Sequence, residues 1–178
     1  MPLAPKDMSQ NCIVALNATR LFVSIGSSVN YDMKNTYFVD IDKNTLFAAP
    51  QMPNKRVYAG CSKIKGTLTG VYNVIVVGGL NATYNGAFTQ TLILDLKTLI
   101  WRTGPQFPYG VYGSQLVEHY DGGVVVIGGR NHFGTYTKEL YYLKTEESGW
   151  VLLSQKMSVG RMWHMAFLLP STFVNCIG

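Results

Sequence analysis

Two runs of four β-branched residues, each closed by a glycine pair, constrain this chain more than anything else in it. They are Val74-Ile75-Val76-Val77-Gly78-Gly79 and, fifty residues on, Val124-Val125-Val126-Ile127-Gly128-Gly129. Such a run suits a strand covered on both faces, and the glycines that follow give the backbone freedom for a sharp exit. A weaker copy, Leu21-Phe22-Val23-Ser24-Ile25-Gly26-Ser27, places Gly26, Gly78 and Gly128 at spacings of 52 and 50. A period near fifty marks a stacked or radial repeat.

Turn-like punctuators keep the same period. Met1-Pro2, Met52-Pro53, Phe107-Pro108 and Met157-Ser158 are spaced by 51, 55 and 50. They divide the chain into repeats of about 1–51, 52–106 and 107–156 and a half repeat, 157–178. Each punctuator is followed by an apolar segment: Asn11 to Leu16, Val57 to Ser62, Tyr112 to Glu118 and Met162 to Leu169. A turn and the glycine-terminated strand come next in the first three, with Asp121-Gly122-Gly123 the clearest hairpin signal. A polar loop then leads to a third strand, at Tyr37–Ile41, Leu92–Leu96 and Leu140–Leu143. A fourth strand bears one large aromatic: Phe47, Trp101 or Trp150.

Four antiparallel strands per fifty residues, with no helical periodicity, describe one blade of an all-β propeller. The fourth-strand aromatic is then a wedge between neighbouring blades. These units resemble the kelch repeat: a glycine pair closing the second strand, a tryptophan 22 residues after Gly79 and 21 after Gly129, and an arginine, Arg56 or Arg161, near the start of the first strand. The first unit departs at Ser27 and Phe47, and Val111 stands where the arginine would. Three units and a two-stranded piece (Met162 to Leu169 and Phe173 to Ile177) make about 3.5 blades, against roughly four to eight in closed rings. The resemblance therefore implies a partial ring, completed by further repeats upstream of Met1 or by a second copy.

Composition narrows the function. Fifteen basic residues against ten acidic give a net charge of +5, but they are scattered. A nucleic-acid face needs a basic stripe interleaved with aromatics, which this pattern lacks. No apolar run approaches the roughly eighteen residues of a membrane-spanning helix. Cys12, Cys61 and Cys176 lack close metal or redox spacing and read as buried small hydrophobes. His119, His132 and His164 are too dispersed to form a metal motif, and Gly128-Gly129-Arg130-Asn131-His132-Phe133-Gly134 lacks the dinucleotide-binding spacing. Neither a cofactor nor a metal is expected.

In a propeller the loops joining strands two and three and those joining successive blades open on one face, where ligands bind. Here they present Asn81, Tyr84, Tyr109, Tyr112, Arg130, Asn131, His132, Trp163 and His164. Tyrosine, tryptophan and arginine are the usual anchors of interfaces, and arginine can grip a carboxylate through two parallel hydrogen bonds. The segment Gly128–His132 is similar to one by which adaptor-type kelch propellers hold acidic peptides, which implies that role for Arg130. A salt bridge from Arg130 to a neighbouring blade is the other role open to it. Gly78, Gly79, Gly128, Gly129, Trp101, Trp150, Arg56 and Arg161 are expected to be structural, the arginines bonding blade-to-blade carbonyls near the axis. Two N-x-T triplets, at Asn17 and Asn81, are candidate glycosylation sites and tilt the reading toward a secreted protein. The resemblance implies a non-enzymatic scaffold that binds a protein partner. A fragment of a secreted propeller enzyme, of copper-oxidase or sugar-processing type, is the alternative.

Overall fold

The computed structural model describes residues 12–26, 32–67, 70–81, 83 and 85–169. The punctuator at Met1, Ser27, Tyr84, Cys176 and the segment Phe173 to Ile177 lie outside the described residues. The described residues form sixteen strands and no helix, so no helix is long and apolar enough to cross a membrane.

Twelve strands build three four-stranded antiparallel sheets in simple up-and-down order. The first is β1 (Cys12–Ala15), β2 (Arg20–Ser24), β3 (Thr36–Asp40) and β4 (Thr45–Ala49). After the short β5 (Arg56–Val57), the second contains β6 (Gly60–Lys65), β7 (Tyr72–Val77), β9 (Thr91–Leu94) and β10 (Trp101–Thr103), with β8 (Leu80–Asn81) in its connecting loop. The third follows the same plan: β11 (Val111–Tyr112) leads in, then β12 (Gln115–Glu118), β13 (Val124–Ile127), β15 (Glu139–Leu143) and β16 (Val151–Lys156), with β14 (Arg130–Asn131) between β13 and β15. The innermost strands adjoin, with β6 touching both β1 and β12, so the sheets stand as successive blades around an axis.

Of the two valine-rich strands, β7 is buried on both faces as expected, whereas β13 buries Val124 and Val126 and leaves Val125 and Ile127 half-buried. Val74, Ile75, Val76 and Val77 are all fully buried, alternate residues facing different neighbours. Val74 and Val76 pack toward the first blade with Phe22, Met52 and Leu92, while Ile75 and Val77 pack toward the third with Phe107, Leu116 and Val126. The two tryptophans close these seams. Trp101 meets Phe22 of the first blade edge-on at 6.1 Å and donates its indole N–H to the Pro50 carbonyl at 2.8 Å. Trp150 repeats this one blade later, 5.2 Å from Phe107 and 3.0 Å from the Pro105 carbonyl.

Four sequence expectations need correcting. Phe47 is not a wedge: Leu46, paired with Val39, holds the register that Trp101 holds opposite Leu94, and Phe47 lies opposite Phe38 with half its surface exposed. The first strands at Val57 to Ser62 and Tyr112 to Glu118 are each broken near their start, because Tyr58 and Gly113 adopt left-handed backbone (φ 58° and 64°) that no strand accommodates. Met162 to Leu169 forms no strand with the described residues, since it makes no ladder hydrogen bonds there. Cys12 and Cys61 are not free thiols but a disulfide between β1 and β6, with Cα atoms 5.8 Å apart. Successive innermost strands run side by side, bringing cysteines 49 residues apart within bonding reach.

Candidate functional site on the loop face

Each glycine pair turns the chain outward and ties its blade to the next. Gly78 and Gly79 have φ of 66° and 93°, and Gly128 and Gly129 of 58° and 104°. The second glycine of each pair donates its N–H to the lead-in of the following blade, Gly79 to the Val111 carbonyl and Gly129 to that of Arg161, both at 2.8 Å. A Cβ on Gly78 would collide with the same Val111 oxygen, and one on Gly128 would lie 2.7 Å from the Arg161 oxygen. Glycine is therefore required twice over, by φ and by the approach of the next blade.

Beyond the glycines, β8 pairs with β5 and β14 with β11, so the loop between strands two and three and the lead-in to the blade share one face. Asn81 and Asn131 fold their loops in the same way. The Asn81 Oδ1 accepts the Asn85 N–H at 3.2 Å, and the Asn131 Oδ1 accepts the N–H groups of Phe133 and Thr135 at 3.0 and 2.9 Å. Arg130 is held from two sides: its Nε–H donates to the Gly134 carbonyl at 2.9 Å and its guanidinium lies over the Tyr136 ring, 5.5 Å from the centroid. No carboxylate among the described residues forms an ion pair with it, and its terminal nitrogens have no protein partner there. Arg130, Asn131, His132 and Tyr112 line a groove of about 230 Å³ opposite Asn85 and Gly86 of the preceding blade. His132 is anchored by its own N–H to the Gly110 carbonyl at 2.9 Å, with its ring tilted 41° against the exposed Phe133.

A second hollow, of about 250 Å³, lies toward the axis between Tyr58, Ser114, Trp163 and His164, with Cys12 and Cys61 in its wall. Tyr58, Gly113 and Trp163 each follow a lead-in by the same count, and all three have left-handed backbone. The Gly113 N–H reaches the Tyr58 carbonyl at 2.8 Å and the Trp163 N–H the Gly113 carbonyl at 2.9 Å, a backbone chain running from blade to blade. Above it the Tyr58 ring stands 5.4 Å from Trp163 and 6.4 Å from Tyr112, joining the two hollows by an aromatic ridge. Both ring nitrogens of His164 are shielded without a hydrogen-bond partner. Burial, aided by the Arg161 charge, holds the His164 pKa below the ordinary 6.5, so the ring is neutral at pH 7.

The structure thus gathers Arg130, Asn131, His132 and Tyr112 at one groove and Trp163 and His164 at the other, with Asn81 at the base of its loop. Tyr109 is elsewhere. Its ring packs on Phe107 at 5.2 Å and Tyr141 at 5.7 Å inside the seam, and burial drives its pKa far up. Arg56 is fully buried and bonds the Gly78 carbonyl at 3.0 Å and the Gln90 Oε1 at 2.7 Å, acceptors in its own blade rather than across a seam. Desolvation lowers its pKa to about 10, which leaves it charged at neutral pH. Arg161 is exposed, and among the described residues its side chain hydrogen-bonds the Val159 carbonyl alone, at 3.5 Å. Sequence reasoning missed Tyr58 and Tyr136. Tyr58 had a signal, since it shares a repeat position with Gly113 and Trp163; Tyr136 had none beyond being an aromatic in a loop. Among the described residues no three His, Cys, Asp or Glu side chains converge as metal ligands, and Cys12 and Cys61, being paired, offer no thiolate.

No protein-family model matches the chain. Over 127 residues it is 28% identical to Kelch-like protein 40a of Danio rerio, a stretch covering 67% of this chain and 20% of that protein. The solved structure of YjhT superposes with a TM-score of 0.73 at 17% identity, covering 91% of this chain and 56% of that one. The chain therefore spans a fifth of the length of the curated relative and little more than half of the structural one. Its fifty-residue glycine period, its radial sheets and these two likenesses agree on one architecture: the described residues form three blades of a β-propeller, similar in sequence to a kelch-like protein.

Proposed function

We propose that this propeller is a non-catalytic scaffold whose loop face binds a protein partner, with Arg130 receiving an acidic residue of an extended segment. The observation that carries the reading is the state of Arg130. Gly134 and Tyr136 fix the guanidinium in place, yet its two terminal nitrogens remain open toward the groove and unmatched by any described carboxylate. A preorganised arginine of this kind offers two parallel N–H donors to a carboxylate and loses little entropy in doing so. The exposed Tyr136 ring lies under the guanidinium, and Phe133 and Trp163 are exposed elsewhere on the same face, which supplies apolar area of the kind that interfaces use as anchors. The likeness to a kelch-like protein, small as its coverage is, points to the same class of role.

The test is fluorescence anisotropy of the complete propeller against labelled Asp- and Glu-containing peptides. Arg130→Ala should weaken binding at least about tenfold, since a charge-assisted pair is worth about 1.5–3 kcal/mol. Arg130→Lys should recover only part of the loss, because lysine lacks the planar fork. Equal affinity in wild type and R130A, or no affinity for acidic peptides at all, would remove the proposal.

A further inference from the structure

We infer that Asn17 carries an N-linked oligosaccharide and that Asn81, in the second matching triplet, does not. The two triplets are alike in sequence, Asn17-Ala18-Thr19 and Asn81-Ala82-Thr83, and differ in what surrounds the acceptor amide. Asn17 tops the exposed hairpin between β1 and β2, on the rim opposite the loop face. Its Oδ1 accepts the N–H groups of Thr19 and Arg20 at 2.9 and 2.8 Å and faces the Thr19 hydroxyl at 3.4 Å, while its Nδ2 has no partner among the described residues. That nitrogen is free to bear a bulky substituent without cost to the fold.

Asn81 is partly buried and committed. Its Nδ2 donates to the Asn85 Oδ1 at 2.7 Å, and its Oδ1 takes the Thr83 hydroxyl at 3.0 Å and the Asn85 N–H. Its backbone is paired with Arg56 in the β5–β8 ladder. A sugar on this nitrogen would replace one of its two hydrogens and crowd the Asn85 side chain it bonds, straining the loop that builds one wall of the Arg130 groove.

The disulfide supplies an independent second observation. Cys12 opens β1, the strand that leads into the Asn17 hairpin, and its bond to Cys61 is of the kind that forms and persists in oxidising compartments. Those are the compartments in which a lipid-diphosphate-linked oligosaccharide is available as donor. In the transfer, the Asn17 Nδ2 forms a bond to C1 of the first sugar, the C1–O bond to the diphosphate breaks, the lipid diphosphate departs, and the amide gives up one proton.

The experiment is release of N-glycans, by a peptide amidase in heavy-oxygen water, from the protein isolated from its native source, followed by peptide mass spectrometry. Asn17 should be converted to labelled aspartate while the peptide containing Asn81 stays unlabelled. Expressed through the secretory route, the full chain should lose one step of gel mobility in Thr19→Ala and keep it in Thr19→Ser and Asn81→Gln. Thr19→Ala leaves the backbone bonds to Asn17 Oδ1 intact, so this comparison does not depend on a disrupted hairpin. An unlabelled Asn17 overturns the inference, as does a labelled Asn81 or a mobility step that survives Thr19→Ala.

Discussion

The two seams of this molecule solve the same packing problem with different chemistry. Between the first and second blades, Phe22, Met52, Val74, Val76 and Leu92 form a mainly aliphatic interior, and the Cys12–Cys61 disulfide crosses it near the axis. Between the second and third there is no covalent link among the described residues. Instead Phe107 sits at the centre of an edge-to-face cluster, with Tyr109, Tyr141 and Trp150 all within 5.2 Å. Near the outer rim Glu146, almost wholly buried, accepts from Asn73 Nδ2 at 2.8 Å and pairs with Arg102 at 2.6 Å. The indole N–H to proline carbonyl bond is common to both seams, so the repeat fixes the hinge-side geometry and leaves the remainder of each interface free to vary. Among the described residues, the seam with fewer rings and no buried ionic bond is the one that carries a covalent staple.

The contrast breaks most readily at the tryptophans. Trp150→Ala removes the ring that closes the aromatic cluster and should cost about 3–5 kcal/mol in the denaturant-unfolding free energy of the full chain. Trp101→Ala should fall at the lower end of that range, since the disulfide still holds its seam; a greater loss for Trp101→Ala than for Trp150→Ala would break the comparison. Removing the staple itself comes next. Cys12→Ser with Cys61→Ser should cost about 2–4 kcal/mol, a crosslink of this loop length acting chiefly on the unfolded chain. Hydrogen exchange should then speed up in β1–β4 while β12–β16 stay protected, and an even increase across all three blades would contradict two independent seams. Glu146→Ala should cost about 1–3 kcal/mol by leaving the buried Asn73 amide without its acceptor. Asn73→Ala also takes the acceptor from the Leu96 N–H, bonded at 3.2 Å, so it should add a loss to that variant, but a smaller one than it causes in the wild type; fully additive losses would show that the two side chains do not act as a pair.

The fold was legible because its information is repeated. Gly78 and Gly128 each mark the same exit, and Trp101 and Trp150 each mark the same wedge, so an error at one position is corrected by the other. Where the repeat diverges, legibility fails. Tyr58, Gly113 and Trp163 share one left-handed position but no side-chain property, which concealed the break that converts one expected strand into a lead-in and an inner strand. Phe47 resembles the tryptophans in size and stands one residue out of register, a difference that inverts the face it presents. The disulfide was hidden by treating cysteines singly, although a separation of 49 is about one repeat and successive inner strands adjoin. At the loop face, the sequence placed Arg130, Asn131, His132 and Tyr112 together, because glycine exits and lead-ins recur in phase. It misassigned Tyr109 because a tyrosine beside a proline turn can face either the solvent or the seam, and only the neighbouring Phe107 and Tyr141 decide which.

The smallest expected effect concerns acid, and it bears on one seam alone. The hairpin between β12 and β13 presents the Gly122 carbonyl to the Lys65 N–H of the second blade at 2.8 Å, so this turn is part of the second seam. Asp121 braces it, accepting from His119 Nδ1 at 2.8 Å, from the Gly123 N–H at 3.0 Å and from the Tyr142 hydroxyl. Burial acts to raise the Asp121 pKa, and the three hydrogen bonds outweigh it, bringing the group down to about 2 from 3.8. A carboxylate with a depressed folded pKa contributes stability that is complete above its unfolded value and is lost as pH falls through the folded one. The window is therefore from about pH 4 down to about pH 2. Asp121 is largely exposed and solvent screens its contacts, so the loss should stay under about 1 kcal/mol. Asp121→Asn should abolish that portion of the acid dependence and leave stability at pH 7 lower by a similar amount. Since the first seam has no counterpart to this cluster among the described residues, acid should loosen amide protection at Lys65 and Gly122 before it affects β1. Equal acid sensitivity at both seams would mean that the Asp121 brace does not set the difference between them.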